Sequence, residues 1–429
     1  MRRIVFFEDQ KAAQFAPLAL LRPVFELLCG HFTSRERILS QFPKSEWGVL
    51  IREELAEAYQ SEQTTAQVNQ AAWLEEGQTL VINARCLLEV SQLKKIKPGT
   101  AGWIGETWAA LVLEPEDRPR QAGLPTDAEL QQIAEQKKRL TLNGTALNYP
   151  WDLVSQNPKW LSLDFAARSK PSGFSTTDSR IAIIGPTDQV HIDATARLDP
   201  FVVIDATSGP VWIDRDARVQ AFTRIEGPAF IGAGTQLFQA NVREGCSFGP
   251  VCRVGGEIEG TILHGYVNKY HDGFLGHSYV CPWVNLGALT TNSDLKNDYS
   301  PVSVPLNGQR VSTGSTKVGS FIGDHTKTAL CSLFNTGSSI GIMSLILPGG
   351  ELLPKEIPSF SRIWHGRLEQ LPDGCENGIQ TARTAMSRRG LTLTPESEQL
   401  IRSLYHSTAA GRESVLQRGV LPGNRAPAE

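Results

Sequence analysis

Aliphatic residues recur every six positions through the middle of the chain. Ile213, Val219, Ile225, Ile231 and Leu237 form one unbroken run, and Ile322, Thr328, Phe334, Ile340 and Ile346 repeat the spacing further on. Shorter runs at Ile192, Leu198, Ile204 and at Phe274, Val280, Leu286 agree. Mostly small residues accompany them at a fixed offset: Ala217, Thr223, Ala229, Thr235 and Asn241, then Thr326, Ser332, Ser338, Ser344 and Gly350. A period of six fits neither a helix, near 3.6, nor a single strand, at 2. It predicts a hexapeptide β-helix, in which each face of a triangular coil takes six residues. The aliphatic side chain fills the interior, and the small residue sits near the corner where the backbone turns. About three hexads close a coil, so residues about 18 apart stack. Prisms of this repeat coil left-handedly, an exception to right-handed crossovers.

Outside that stretch the pattern changes. Residues 1–180 read as a mixed α/β domain ending in a Ser/Thr/Gly/Pro-rich linker at 168–180. Arg3–Phe7 and Thr79–Asn83 predict short buried strands, and strand ends are where open α/β sheets place ligands. Residues 18–42 carry helical spacing. Residues 125–140 predict an uninterrupted helix capped by Thr126 or Asp127. Residues 181–352 make the parallel β-helix, interrupted once from Thr290 to about Lys317. So long a polar loop is expected to leave the prism and reach a neighbouring site. Residues 353–429 predict a helical tail in pieces at 361–370, 377–389 and 395–407. It covers the open end of the prism and frays over its last ten residues.

Composition narrows the class. A chain of 429 residues holds two or three domains. A formal charge of −3 and no long Lys/Arg run argue against a nucleic-acid partner. No apolar run suits a signal peptide or a membrane span. The seven cysteines form no Cys-x-x-Cys and read as buried thiols of a cytoplasmic protein.

A smooth prism has no cleft of its own. Prisms side by side, usually in threes, create grooves, so a homotrimer is expected. Acyl transfer to an amine needs a base, which histidine suits, and a donor for the developing oxyanion. A phosphorylated acceptor needs cations. The block 268–297 supplies Lys269, His271, Asn285, Asn292, Lys296 and Asn297; Lys317 closes the loop, and Arg243 lies upstream. His264, His271 and His277 invite a zinc reading, but steps of seven and six place them on different faces, where ligands do not converge. The metal ligands stay unassigned.

Asn-Lys-Tyr-His-Asp-Gly-Phe-Leu-Gly-His-Ser (268–278) and Trp-Val-Asn-Leu-Gly-Ala-Leu-Thr-Thr-Asn-Ser-Asp-Leu-Lys-Asn (283–297) resemble one family. It is the alternative bacterial form of the bifunctional glucosamine-1-phosphate N-acetyltransferase/N-acetylglucosamine-1-phosphate uridyltransferase. Asn-Val-Arg-Glu-Gly-Cys-Ser-Phe-Gly-Pro-Val-Cys-Arg-Val-Gly-Gly-Glu (241–257) fits as well. The resemblance implies that His271 is the catalytic base, Asn285 holds the acetyl acceptor and Ala288 offers a backbone contact to coenzyme A. It places Arg243 and Lys317 at a sugar phosphate, and it puts Phe274 where the better-known form has a tyrosine.

For the first domain it implies a nucleotidyltransferase-like α/β fold. Arg22 and Arg35, in Leu21-Arg22-Pro23 and Thr33-Ser34-Arg35-Glu36, would bind nucleotide phosphates. Asn83 stands near where the usual enzymes hold Mg²⁺ with an aspartate. The segment Glu8–Pro17 lacks the glycines of a phosphate-cradling loop. The implied function is N-acetylation of glucosamine 1-phosphate by acetyl-CoA, then Mg²⁺-dependent nucleotidyl transfer from UTP or dTTP to the sugar 1-phosphate. Two alternatives stay open: an acyltransferase for another amino sugar with an inactive first domain, and a non-catalytic trimer that binds nucleotide sugar.

Overall fold

The computed structural model describes residues 3–117, 123–168 and 178–419. Most of the expected linker, and the final residues 420–429, lie outside the described residues.

The first domain is built on a seven-stranded sheet. In spatial order its strands are Lys138–Thr141, Thr100–Ile104, Thr107–Leu113, Thr79–Asn83, Arg3–Phe7, Trp47–Leu50 and Gln67–Val68. Arg3–Phe7 lies parallel to both neighbours. Its alternation feeds two cores, Ile4 and Phe6 into one and Val5 and Phe7 into the other, which suits an apolar run covered on both faces. The helix expected over 125–140 spans Asp127–Gln136; Thr126 caps it in a reciprocal box with Glu129. Its last expected turn is instead the edge strand Lys138–Thr141.

Residues 18–42 depart from their helical spacing. They form the 3₁₀ turn Val24–Glu26, a hairpin of Leu28–Cys29 with Phe32–Thr33, and one short helix, Ser34–Leu39. Gly30 forces the break. It sits at φ +74°, and a Cβ there would lie 2.3 Å from the Asp164 carboxylate.

The prism follows the hexad. Val211 pairs with Ala229 and Ala229 with Cys246, all parallel, which sets the coil repeat at 18 and then 17 residues. Ile213, Val219, Ile225, Ile231 and Leu237 are all within the interior. Many of the small companions are hydroxyl residues for a reason beyond size. Thr235 Oγ1 donates to the Gly249 carbonyl at 2.9 Å and accepts from Cys252 N–H at 3.0 Å, so it ties one corner to the next coil.

One hexad run was misregistered. Leu275, not Phe274, points inward, and Phe274 stands half-buried on the outer surface.

The prism interruption starts later than Thr290. The strand Thr291–Asn292 still pairs with Leu333–Phe334. A bridge between Leu295 and Lys317 closes the neck of the loop, which carries the hairpin Ser303–Leu306 with Gln309–Ser312. Val304 and Leu306 bury in the core shared with the first domain, so the loop reaches that domain rather than a neighbouring site.

The coil also continues past 352, through Glu356–Ile357 and Ser361–Trp364. Residues 361–370, expected to be helical, form an antiparallel hairpin that ends the stack. Ile363 supplies the reason: it fills the prism interior above Ile346. Three helices follow, Glu376–Ser387, Pro395–Ser407 and Ala409–Gly419. Ile379, Leu400 and Ile401 share a core with Met343, Phe360 and the first domain, so the first two tail helices cover a flank, while Ala409–Gly419 contacts the terminal strand Arg367–Gln370. Six cysteines are buried as expected, but Cys331 is exposed.

The first domain sits on one prism face. Tyr279 and Phe321 point outward from that face into its core. The Tyr279 hydroxyl accepts from Leu28 N–H at 2.8 Å. Arg22 crosses the same boundary to Asp324, whose side chain is only 1% exposed, with Nη1 at 2.9 Å from Oδ2. Arg22→Ala leaves that carboxylate buried and alone, a loss of about 3–5 kcal/mol. Urea denaturation is expected to show it, with Arg22→Ala/Asp324→Ala recovering part. A loss below about 1 kcal/mol in the single variant would remove the bridge from the account.

Candidate active site

The prism has three corners, and the packing covers parts of two of them. The tail helix Glu376–Ser387 lies over the corner that includes Met343. The helix Pro150–Ala167 lies over another, where Asn157 Nδ2 donates to the Gly245 carbonyl at 2.8 Å. The third corner is a column linked coil to coil: Phe222 N–H donates to the Phe201 carbonyl, Leu289 N–H to Asp272 and Cys331 N–H to Ala288. Phe201, Phe222, Leu289 and Leu330 stand exposed along or beside it, Phe222 at 70%. The rings of Phe201 and Phe222 stack at 5.9 Å.

His271 is exposed on this uncovered corner. Its neighbour Tyr270 stacks on Phe238 at 5.0 Å. Ala288 follows one coil later; its carbonyl accepts from Cys331 N–H, and among the described residues its own N–H has no hydrogen-bond partner.

From the corner the outer face runs through Glu257, Phe274 and Glu259, since Glu257 pairs with Phe274 and Glu259 with Gly276. Glu259 is the hinge of a charge cluster that the sequence reading missed. Lys317 Nζ donates to Glu259 Oε1 at 2.9 Å, and Arg243 Nη1 lies 3.4 Å from Glu259 Oε2. The hydrogen bond to Glu259 holds the Lys317 pKa above its ordinary value. His277 Nδ1 meets Asp294 Oδ2 at 2.7 Å beside this cluster. The legible signal was alternation along Arg253–Glu259, which turns Glu257 and Glu259 away from the prism interior, where their partners leave Glu259 buried.

Asn285 lies on the adjoining face, where Asn268 Nδ2 donates to its Oδ1 at 2.6 Å. Thus Arg243 and Lys317 lie to one side of the free corner, Asn285 lies to the other, and His271 stands at the corner between them.

Two expected substrate contacts are internal instead. Lys269 is 1% exposed and Asn292 3%. Both occupy inward hexad positions, stacked on Val254 and beneath Phe334 respectively. Asn292 bonds the Gly276 backbone on both its amide N and O. Lys269 Nζ donates to the carbonyls of Gly255 and His271, so it fixes the corner that carries His271. Lys296 is likewise occupied, by Ser300 Oγ and the Pro301 carbonyl.

In the first domain the three expected nucleotide contacts are all engaged. Arg22 holds Asp324, and Arg35 holds Glu26. Both line a cavity of about 240 Å³ that also carries Glu26, Glu36 and Glu62. Asn83 lies elsewhere, donating to Asp9 at 3.1 Å, while Arg85 Nε lies 2.7 and 2.9 Å from the same carboxylate. A Mg²⁺ ion needs free oxygen ligands. Asp9 has none to offer, and among the described residues no cluster of three or more metal-ligating side chains exists. This arrangement does not fit Mg²⁺.

Residues 4–172 match the family model of a sugar nucleotidyl transferase. A bifunctional sugar-1-phosphate nucleotidylyltransferase/acetyltransferase of Sulfurisphaera tokodaii is 37% identical over 79 residues, 18% of this chain and 20% of that protein. The bifunctional protein GlmU of Methanococcus maripaludis is 34% identical over 90 residues, 21% of this chain and 22% of that one. The matches thus span about a fifth of either relative's length. Among solved structures, a UDP-N-acetylglucosamine acyltransferase has a TM-score of 0.19 at 17% identity, covering 54% of this chain and 91% of that one. A hexapeptide transferase family protein from Anaplasma phagocytophilum has 0.18 at 15%, covering 53% and 96%. The fold itself is read from the strand register above.

Fold and sequence together define a two-domain protein, a sugar nucleotidyl transferase domain seated on a hexapeptide prism. Over part of its length the chain is similar to bifunctional nucleotidylyltransferase/acetyltransferases. No described helix is long and apolar enough to cross a membrane.

Burial lowers the Lys269 pKa from 10.5 to about 8. Between those values the unfolded chain keeps a proton that the folded chain has lost, so this group's contribution to stability rises with pH. The stability of wild type relative to Lys269→Met is expected to rise by up to about 3 kcal/mol across that window. Denaturant titrations at pH 8 and 10.5 check it; a flat difference would mean the ammonium is not desolvated.

Proposed function

We propose that the prism transfers an acetyl group from acetyl-CoA to the amine of a sugar, with glucosamine 1-phosphate as the acceptor that the family resemblance favours. The observation that carries this reading is the exposure of His271 on the one corner that neither the first domain nor the tail covers. His271 takes the proton as the amine nitrogen attacks the thioester carbonyl. The C–N bond forms, the C–S bond breaks, and the thiol of coenzyme A leaves. The Ala288 N–H, unpaired among the described residues and one coil on, is a donor for the thioester.

The exposed apolar corner supports a homotrimer whose copies meet along it. Asn285 and Arg243 lie on different faces, so a groove that uses both draws them from two copies. Thiol release with acetyl-CoA and glucosamine 1-phosphate is expected to fall about 10²- to 10⁴-fold in His271→Ala. Equal rates in both proteins would end the reading.

A second acceptor has an observation in its favour. Glu259 already binds both Arg243 and Lys317, and Phe274 offers no hydroxyl. Both features suit an amino sugar without a phosphate. Glu259→Gln separates the two: it is expected to lower KM severalfold for glucosamine 1-phosphate alone, and an unchanged KM would favour the unphosphorylated acceptor.

For the first domain, the family match supports nucleotidyl transfer, with UTP or dTTP as the donor that the resemblance implies, and the closed Asp9–Arg85–Asn83 cluster supports a scaffold. Pyrophosphate release with N-acetylglucosamine 1-phosphate decides between them; no Mg²⁺-dependent signal leaves the domain a scaffold.

A further inference from the structure

Lys269 lies inside the prism, with Val254 of the coil below beneath it and Leu286 of the coil above over it. Its stem fills an apolar place, and its ammonium reaches the corner. There Nζ donates to the Gly255 carbonyl at 2.9 Å and to the His271 carbonyl. Gly255 belongs to the coil below and His271 to the turn that follows Lys269 in its own coil. One buried ammonium therefore staples two successive corner turns.

The two turns are in direct backbone contact. A Cβ on Gly255 has no room against the Tyr270 carbonyl, and one on Gly256 would lie 2.8 Å from the Gly273 carbonyl oxygen. From above, Leu289 N–H ties the Asp272 carbonyl. Among the described residues no group other than Lys269 donates to the His271 carbonyl. Loss of the ammonium leaves that carbonyl without a donor and releases the turn directly under the imidazole.

We propose that Lys269 is the positioning residue for the His271 base, holding its turn where the imidazole meets the attacking amine. This rests on the transferase reading above. Lys269 is 1% exposed and touches no substrate, so its loss is expected in kcat and not in KM. A general base acts only within hydrogen-bond reach of its proton, and a displacement near 1 Å costs about 10²-fold.

The charge on Lys269 tightens the staple, because an ionised donor bonds about twice as strongly as a neutral one. Burial lowers its pKa to about 8, and the Asp272 carboxylate on the same turn opposes that fall. Of the other groups around it, His271 gives Lys269 its carbonyl, and the coils below and above present Val254 and Leu286. The staple is thus tight below about pH 8 and slackens above it.

Steady-state acetyl transfer by the full chain, from acetyl-CoA to glucosamine 1-phosphate between about pH 6 and 9, tests this in wild type and three variants. At about pH 7, Lys269→Met is expected to lower kcat about 10- to 100-fold with KM within about twofold of wild type. The wild-type advantage is expected to shrink severalfold as pH rises through the Lys269 pKa. Asp272→Asn keeps the staple and removes the opposing charge, so the same decline is expected at lower pH. A residue that only stabilised the fold would move none of these readouts. Wild-type kcat in Lys269→Met, a loss carried by KM, or a kcat ratio flat with pH overturns the proposal. Should Lys269→Met fail to fold, an unmoved decline in Asp272→Asn overturns it alone. His271→Ala, the third variant, separates the two failures: if it is slow while Lys269→Met is not, only the role of Lys269 falls, and if it keeps the wild-type rate, the transferase reading falls and this proposal with it.

Discussion

The structure depends on one repeated constraint. Each coil of the prism must lay an inward side chain on the one below while every corner backbone group finds a partner. Aliphatic residues meet the first demand and hydroxyls such as Thr235 and Thr326 the second. Where a polar side chain takes an inward place, it must be wholly satisfied. Lys269 and Asn292 obey that rule by bonding backbone at the corners next to them. The interior therefore determines the geometry of the surface, including the corner on which His271 stands.

Coverage then selects the site. The first domain takes one face and its helix one corner; the tail takes another corner. Arg22 and Asp324 lock the first of these placements across a buried boundary. What remains is a single apolar corner with a histidine on it and charges beside it. On the proposed reading, the site is what the packing leaves open.

The prism was legible because a six-residue period is independent of context and is repeated many times. That His271, Arg243, Lys317 and Ala288 stand outside the prism was legible from the hexad register, while their chemical roles belong to the proposed function. Lys269 and Asn292 were misread as surface contacts, although counting six back from Leu275 and six on from Leu286 places both inside. The helical reading of 361–370 failed because Ile363 obeys the prism and not the tail. Residues 18–42 failed because Gly30 packs against Asp164 and Trp160, a contact more than a hundred residues away in sequence. The engagement of Arg22, Arg35 and Asn83 was invisible for the same cause: their partners Asp324, Glu26 and Asp9 are set by tertiary packing.

The central claim is that imidazole and acceptor contacts from separate copies meet along the uncovered corner. Subunit mixing tests it most directly. His271→Ala and Asn285→Ala chains, each inactive alone, are unfolded together and refolded as mixed trimers. If the site is shared between copies, random mixing restores about a quarter of wild-type acetyl transfer. If the mixture stays as inactive as its parents, the two residues serve one copy or none, and the account is contradicted.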